Sequence, residues 1–175
     1  MSHAVALAMT LMVLATWSCG ARAEADSLYT SIRPGDCKAP AADVAASYAK
    51  RHLGVQQCPA PPNWQLLLVA SDENTWIDLA GPDVTWSGER PIVYESPIGN
   101  FPSVGAPPTV EWRRDGRGQP IALIFRVTAQ DPVALEKRTS MLFVVRLQPK
   151  SACVIGRLAT NEEARRLADS ATRCN

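Results

Sequence analysis

Five cysteines and two histidines are the residues of this 175-residue chain best suited to nucleophilic, redox or metal chemistry. No two cysteines are spaced as CxxC, which disfavours a zinc site. Carboxylates gather at Asp72, Glu73 and Asp78 around one polar loop. A hydrolase of the glycosidase kind would need two carboxylates roughly 5–10 Å apart across a cleft; a solvated loop is the simpler account. Arg113, Arg114 and Arg117 cluster around one turn. They could grip a carboxylate or another anion bidentately, or simply solubilise a hairpin end. Trp76 and Trp86 are candidates for exposed aromatic anchors, the residue type enriched at binding hot spots, with core packing as the plainer alternative. No glycine-rich loop follows a strand and opens a helix, so nucleotide binding lacks support.

The first 23 residues narrow this list. Positions 4–17 are uncharged and dominated by Ala, Val, Leu and Met. The run is too short for a transmembrane helix, has the length of a signal-peptide core, and precedes Ala21-Arg22-Ala23 with small residues where a signal peptidase reads. Cleavage after Ala23 is expected, leaving 24–175 as one disulfide-stapled domain that is periplasmic or secreted, with no transmembrane segment. The alternative is a lipid anchor on Cys19, although Trp17 fits a lipoprotein signal badly. Removal of 1–23 takes away Cys19 and His3. Cys37, Cys58, Cys153 and Cys174 remain, and an even count in an exported chain reads as two disulfides. Of three possible pairings, Cys37–Cys58 and Cys153–Cys174 are favoured because each brackets one local segment. His52, the one remaining imidazole, would have to serve any Ser-His-Asp or Cys-His catalysis. Beside Lys50 and Arg51 it reads as a surface residue near a helix end. No metal or cofactor is expected.

The charge count excludes further classes. The chain has 18 basic and 17 acidic side chains, and the signal contains one arginine and no acid, so the mature chain is formally neutral. A dedicated nucleic-acid binder would show a basic excess.

These residues must be positioned by a small set of elements. Residues 24–36 read as extended. Residues 39–53 read as an Ala-rich helix with Pro40 in its first turn and Gly54 as a stop. Residues 64–70 and 75–80 read as a hairpin around the polar loop 71–74, with Ile77 and Leu79 inward and Trp76 and Asp78 outward or toward a second layer. Residues 83–94 suggest another hairpin, and the Pro/Gly-rich stretch 95–108 an irregular loop. Two further hairpins follow, 109–114 with 121–128 across Asp115-Gly116-Arg117-Gly118, and 141–147 with 152–158. Both middle strands are apolar on two faces: Ile121, Leu123, Phe125 and Val127 against Ala122 and Ile124, then Met141, Phe143, Val145 and Leu147 against Leu142 and Val144. A sheet with one wet face would alternate, so a cover is required. Thr160 and Glu163 form a capping-box pattern that opens a C-terminal helix. Cys153 falls on the Leu142/Val144 face, so a Cys153–Cys174 bond would pin that helix over it. Arg126 and Arg146 are expected to meet Glu111 or an acid of the helix. The fold expected is α+β: an antiparallel sheet of about six to seven strands, the pinned C-terminal helix over one face, and a shorter N-terminal helix.

Tyr29-Thr30 before Cys37, Cys58-Pro59, Val110-Glu111-Trp112-Arg113 before a glycine-rich turn, 122–126, 142–147, Cys153 and the helix 164–169 together resemble a family of small exported proteins of Gram-negative bacteria whose function is unassigned. The Ala-rich stretch between Cys37 and Cys58 departs from it. The resemblance implies export and a disulfide-linked β-rich domain, and no catalytic residue. The expected function is a non-catalytic exported domain binding a protein or envelope component, with inhibition of a hydrolase as a specific subclass. Its expected surface is the loop 71–74 with Asp72 and Glu73, Trp76, Trp86, Phe101, and the turn carrying Arg113 and Arg117. A small carboxylate-dependent hydrolase and an envelope-integrity protein are the alternatives.

Overall fold

The computed structural model describes residues 26–95, 98–170 and 172–174. The expected export signal, with Cys19, lies outside the described residues. Among the described residues ten antiparallel strands form two sheets. The larger contains β1 (Asp26–Ser31), β6 (Asn100–Val104), β7 (Thr109–Arg114), β8 (Pro120–Gln130), β9 (Arg138–Gln148) and β10 (Ser151–Leu158). Its order is β1-β7-β8-β9-β10, with β6 pairing the far end of β8 beyond the reach of β7. The smaller contains β2 (Gly54–Cys58), β3 (Gln65–Ala70), β4 (Thr75–Ala80) and β5 (Thr85–Ser87), in that order.

The single sheet of six to seven strands is thus corrected to two sheets of six and four strands. The reason is the bulk on the inner face of the large sheet. Trp112, Leu123, Phe125, Val127, Phe143 and Val145 form a continuous apolar surface that Leu66, Ile77 and Leu79 of the small sheet join in one core. Burying large aliphatic and aromatic side chains is worth about 1.5–3 kcal/mol each, and stacking a second sheet is the efficient way to remove that area from water. Trp112 lies at the centre, tilted against Trp64 at 5.8 Å between ring centroids, and its Nε1–H donates to Thr30 Oγ1 at 2.9 Å.

The opposite face of β8 and β9 carries Ala122, Ile124, Leu142 and Val144, as the alternation requires. α2 (Asn161–Ala168) covers it with Ala164 and Ala168, both fully buried. Thr160 and Glu163 make the reciprocal capping box. Cys153 pairs in register with Arg146, and the Cys153–Cys174 disulfide fastens the chain after α2 to this face. A bulge at Ile155 and the absence of a side chain at Gly156 allow the close approach, because a Cβ at Gly156 would lie 2.3 Å from Leu167 Cδ2.

α1 (Ala42–Ala49) is shorter than the segment 39–53, and the Cys37–Cys58 disulfide ties its leading segment to β2. Two local expectations fail. After β5 the chain forms a π-helical turn, Glu89–Tyr94, instead of a returning strand. The Pro/Gly-rich stretch contains β6, whose pairing with β8 no local periodicity could announce. No described helix is long and apolar enough to cross a membrane.

Candidate functional site

The alternation on β7 that sends Val110 and Trp112 inward sends Glu111 and Arg113 outward, beneath α2. Strand pairing brings Tyr29 opposite Glu111 and Ser27 opposite Arg113. The helix contributes Arg165 and Asp169, one turn apart. The result is a polar network beside the apolar patch that α2 covers. Arg165 Nε donates to both Glu111 oxygens at 2.8 and 3.1 Å, and Arg165 Nη2 to the Tyr29 hydroxyl at 2.7 Å. Arg113 donates to Asp169 through Nε at 2.9 Å and Nη2 at 2.6 Å, and to Glu111 through Nη1 at 3.4 Å. Ser27 accepts from Arg113 and donates to Glu111. Burial alone would raise the Glu111 carboxyl, but hydrogen bonds from Arg165 and Ser27 and the charges of Arg165 and Arg113 outweigh it and hold its pKa below the usual value. Arg146, expected to meet an acid, instead donates to the Leu167 and Ser170 carbonyls at 3.4 and 2.7 Å. It satisfies the carbonyl end of α2, where a cation is favoured. Arg126 reaches Ser140 Oγ at 2.7 Å. Next to this network a cavity of about 300 Å³ opens, with Tyr29, Glu111, Ile124, Arg126, Leu142 and Arg165 among its walls.

A second cluster surrounds Asp78. Its Oδ2 accepts from the Tyr48 hydroxyl at 2.7 Å, and its Oδ1 accepts from Ser87 Oγ at 2.7 Å and the Gly88 N–H at 3.1 Å. These bonds fasten α1 and the turn after β5 to the small sheet. Desolvation outweighs them and raises the carboxyl above its usual range. The adjoining cavity, about 230 Å³, has Asp78 as the one carboxylate in its lining, whereas the hydrolase reading requires two. Because the folded state binds the Asp78 proton more tightly than the unfolded chain does, the group favours folding at low pH and loses that advantage as pH rises through its raised pKa. Asp78→Asn removes the dependence. Urea midpoints measured from about pH 3 to pH 8 should show the margin of the natural protein over the variant shrinking as pH rises from about 4. A constant margin would contradict this account.

The other expected site residues divide. Asp72 and Glu73 are exposed on the β3–β4 turn, and Arg117 on the β7–β8 turn. Trp86 is half-buried along the seam between β5 and β10. Trp76 lies in the core, the plainer of its two readings: it is 2 % exposed and belongs to the cluster against which Val44 and Tyr48 of α1 pack. Arg113 is corrected from turn residue to buried ion-pair partner, because it lies within β7 on the face beneath α2. Phe101 is 47 % exposed. Among the described residues no group of three or more His, Cys, Asp or Glu is placed to hold a metal ion.

Sequence reasoning missed two exposed apolar residues, Val133 and Leu135, 90 % and 56 % exposed in the loop joining β8 and β9. That loop and Phe101 share one end of the large sheet, since Asn100 pairs with Gln130 and the Thr139 hydroxyl donates to the Ile98 carbonyl. Phe101 lies in a bulge of β6, where the register shifts between Asn100 and Ser103, at φ +51. A left-handed backbone is costly for a bulky residue, and bulges re-aim side chains out of the ladder. Thr75, at the end of the loop 71–74, bonds the Val104 backbone in both directions, at 2.7 and 3.2 Å. The acidic turn and the β6 strand that carries Phe101 therefore adjoin.

Fold and surface together define a class: a disulfide-stapled, two-sheet antiparallel β protein with a helix on the outer face of the larger sheet. No protein-family model, no curated protein and no solved structure matches the chain.

Proposed function

We propose that this chain is an exported, non-catalytic binding module that recognises a protein of the cell envelope or periplasm through the end of its large sheet that carries Phe101, Val133 and Leu135. The observation that carries the reading is Phe101, a large aromatic side chain held outside the core by a bulge and a left-handed backbone. Strain of this kind persists where the surrounding structure enforces it, and it concentrates at functional sites. Asp72 and Glu73 on the adjoining turn favour a partner whose apolar patch has basic residues at its edge. Two disulfides are compatible with an extracytoplasmic location. The apolar run at 4–17 and the resemblance to exported Gram-negative proteins support export to the periplasm or beyond, and inhibition of a hydrolase is one form such binding could take.

Phe101→Gly separates recognition from folding. Relief of the left-handed strain is worth about 1–2 kcal/mol, partly offset by lost contacts, so the variant should be at least as stable as the natural protein. Removing a core phenylalanine would instead cost about 3–5 kcal/mol. A periplasmic partner that co-purifies with the natural protein should be lost from both Phe101→Gly and Leu135→Glu. Undiminished capture by both variants would overturn the reading.

A further inference from the structure

We propose that the cavity on the outer face of the large sheet is a binding site for a small organic monocarboxylate with an apolar body. The cavity exists because the helix is shorter than the sheet it covers. Eight residues of α2 span about 12 Å, while the eleven residues of β8 or β9 extend about 36 Å. Past the first turn of α2 the face continues uncovered through Arg126 and Ser140. The opening, about 300 Å³, lies at the lower edge of the size range of ligand sites. Its apolar floor is Ile124 and Leu142.

The charges in its walls select the ligand. Glu111 and Asp169 are matched by Arg165 and Arg113 within the network, so these four groups are neutral together. Arg126 is different. Among the described residues it makes no ion pair, and its one hydrogen bond runs from Nη1 to Ser140 Oγ. The Nε–Nη2 edge of its guanidinium has no protein acceptor, and that edge is the fork that binds a carboxylate bidentately. Tyr29 supplies a second donor. Its oxygen accepts from Arg165, which leaves its own O–H free to donate into the cavity. One unmatched cation, one hydroxyl donor and an apolar floor suit a single negative charge on an apolar body. A dianion such as a phosphate monoester would bring a second charge close to Glu111, so a monocarboxylate is the better match. The site does not depend on the Phe101 surface, and neither proposal requires the other.

The test is titration of the natural protein with sodium octanoate, followed by amide chemical shifts, with inorganic phosphate and 1-octanol as controls. Octanoate should shift the amides around Ile124, Arg126 and Leu142. Arg126→Gln should weaken it about tenfold or more, the size expected for a charge-assisted hydrogen bond. Tyr29→Phe, which removes only a hydroxyl from a half-exposed edge residue, should weaken it severalfold, and it provides the comparison should Arg126→Gln fold poorly. Absence of octanoate shifts, affinity unchanged in both variants, or equal shifts with octanol would overturn the proposal. Equal shifts with phosphate would also overturn it, marking the site as a general anion contact.

Discussion

Glu111→Ala is expected to cost about 3–5 kcal/mol of folding stability, the range seen when a buried ion pair loses one partner. Glu111 and Arg113 are both almost fully buried, and Arg113 would keep Asp169 but lose half of its counter-charge. Arg165 would lose its carboxylate, and Ser27 the acceptor of its hydroxyl proton. Equilibrium urea denaturation checks this. A cost under about 1 kcal/mol would mean that water enters the network and screens it, as it does for surface pairs. The pH dependence has the opposite sign to that of Asp78. With its folded pKa held low, Glu111 contributes stability above the unfolded carboxylate pKa of about 4.3 and loses it as pH falls through the folded value. In that window the unfolded chain binds more protons, so acid favours unfolding. Glu111→Gln should therefore flatten the acid limb of the stability curve.

Removing the Cys153–Cys174 bond, by serine at both positions, should cost about 3 kcal/mol. The estimate follows from the loop-closure entropy restored to an unfolded chain cross-linked across 21 residues. The structural consequence should be local. α2 has only eight residues, too few to persist as a helix without tertiary contacts. With its C-terminal tether gone, it relies on Ala164, Ala168, the Glu111–Arg165 and Arg113–Asp169 pairs, and the Arg146 bonds to its carbonyl end. Amide exchange should accelerate through α2 and over the outer face at Ala122, Ile124, Leu142 and Val144, while β3 and β4 keep their protection. A uniform loss of protection across both sheets would show instead that α2 and the core unfold as one unit.

The elements that could be read from the sequence are those whose signals are local. The two-faced apolar pattern of β8 and β9 demanded a cover on each side, and the Thr160/Glu163 capping box placed the start of the outer one to the residue. The Cys153 position on the Leu142 face followed from strand alternation, its link to Cys174 from the local bracketing of one segment, and both emerged as expected. Where pairing is non-local the reading failed. β6 pairs with a strand more than twenty residues later, and its own sequence, with Pro102 at its centre and Gly99 and Gly105 at its flanks, shows no strand alternation. The same applies to the candidate sites. Asp72, Glu73 and Phe101 could be singled out by residue type and by their place in polar or Pro/Gly-rich segments, and the structure leaves all three exposed. The Glu111–Arg165 contact spans 54 positions, and nothing in the spacing of the two residues points to it. Trp76 and Arg113 looked available because the residues two positions to either side of each are polar (Asn74 and Asp78, Glu111 and Asp115); in space Trp76 joins the core and Arg113 pairs with Asp169 at the end of α2.

Alone, the sequence determined that β8 and β9 have two buried faces, that a capped helix follows β10, and that four cysteines can form two local staples. These properties rest on backbone periodicity, on side-chain-to-backbone hydrogen bonds, and on short loops, all set within a few residues. Tertiary structure alone decided that the inner cover is a second sheet, and that Glu111 and Arg113 meet Arg165 and Asp169 beneath α2. It also left Arg126 beyond the end of that helix with no counter-charge among the described residues. Each of these depends on which strands pair, and how far an eight-residue helix reaches across eleven-residue strands. Those outcomes are set by loop closure and by burial summed over the whole chain, which no local window contains.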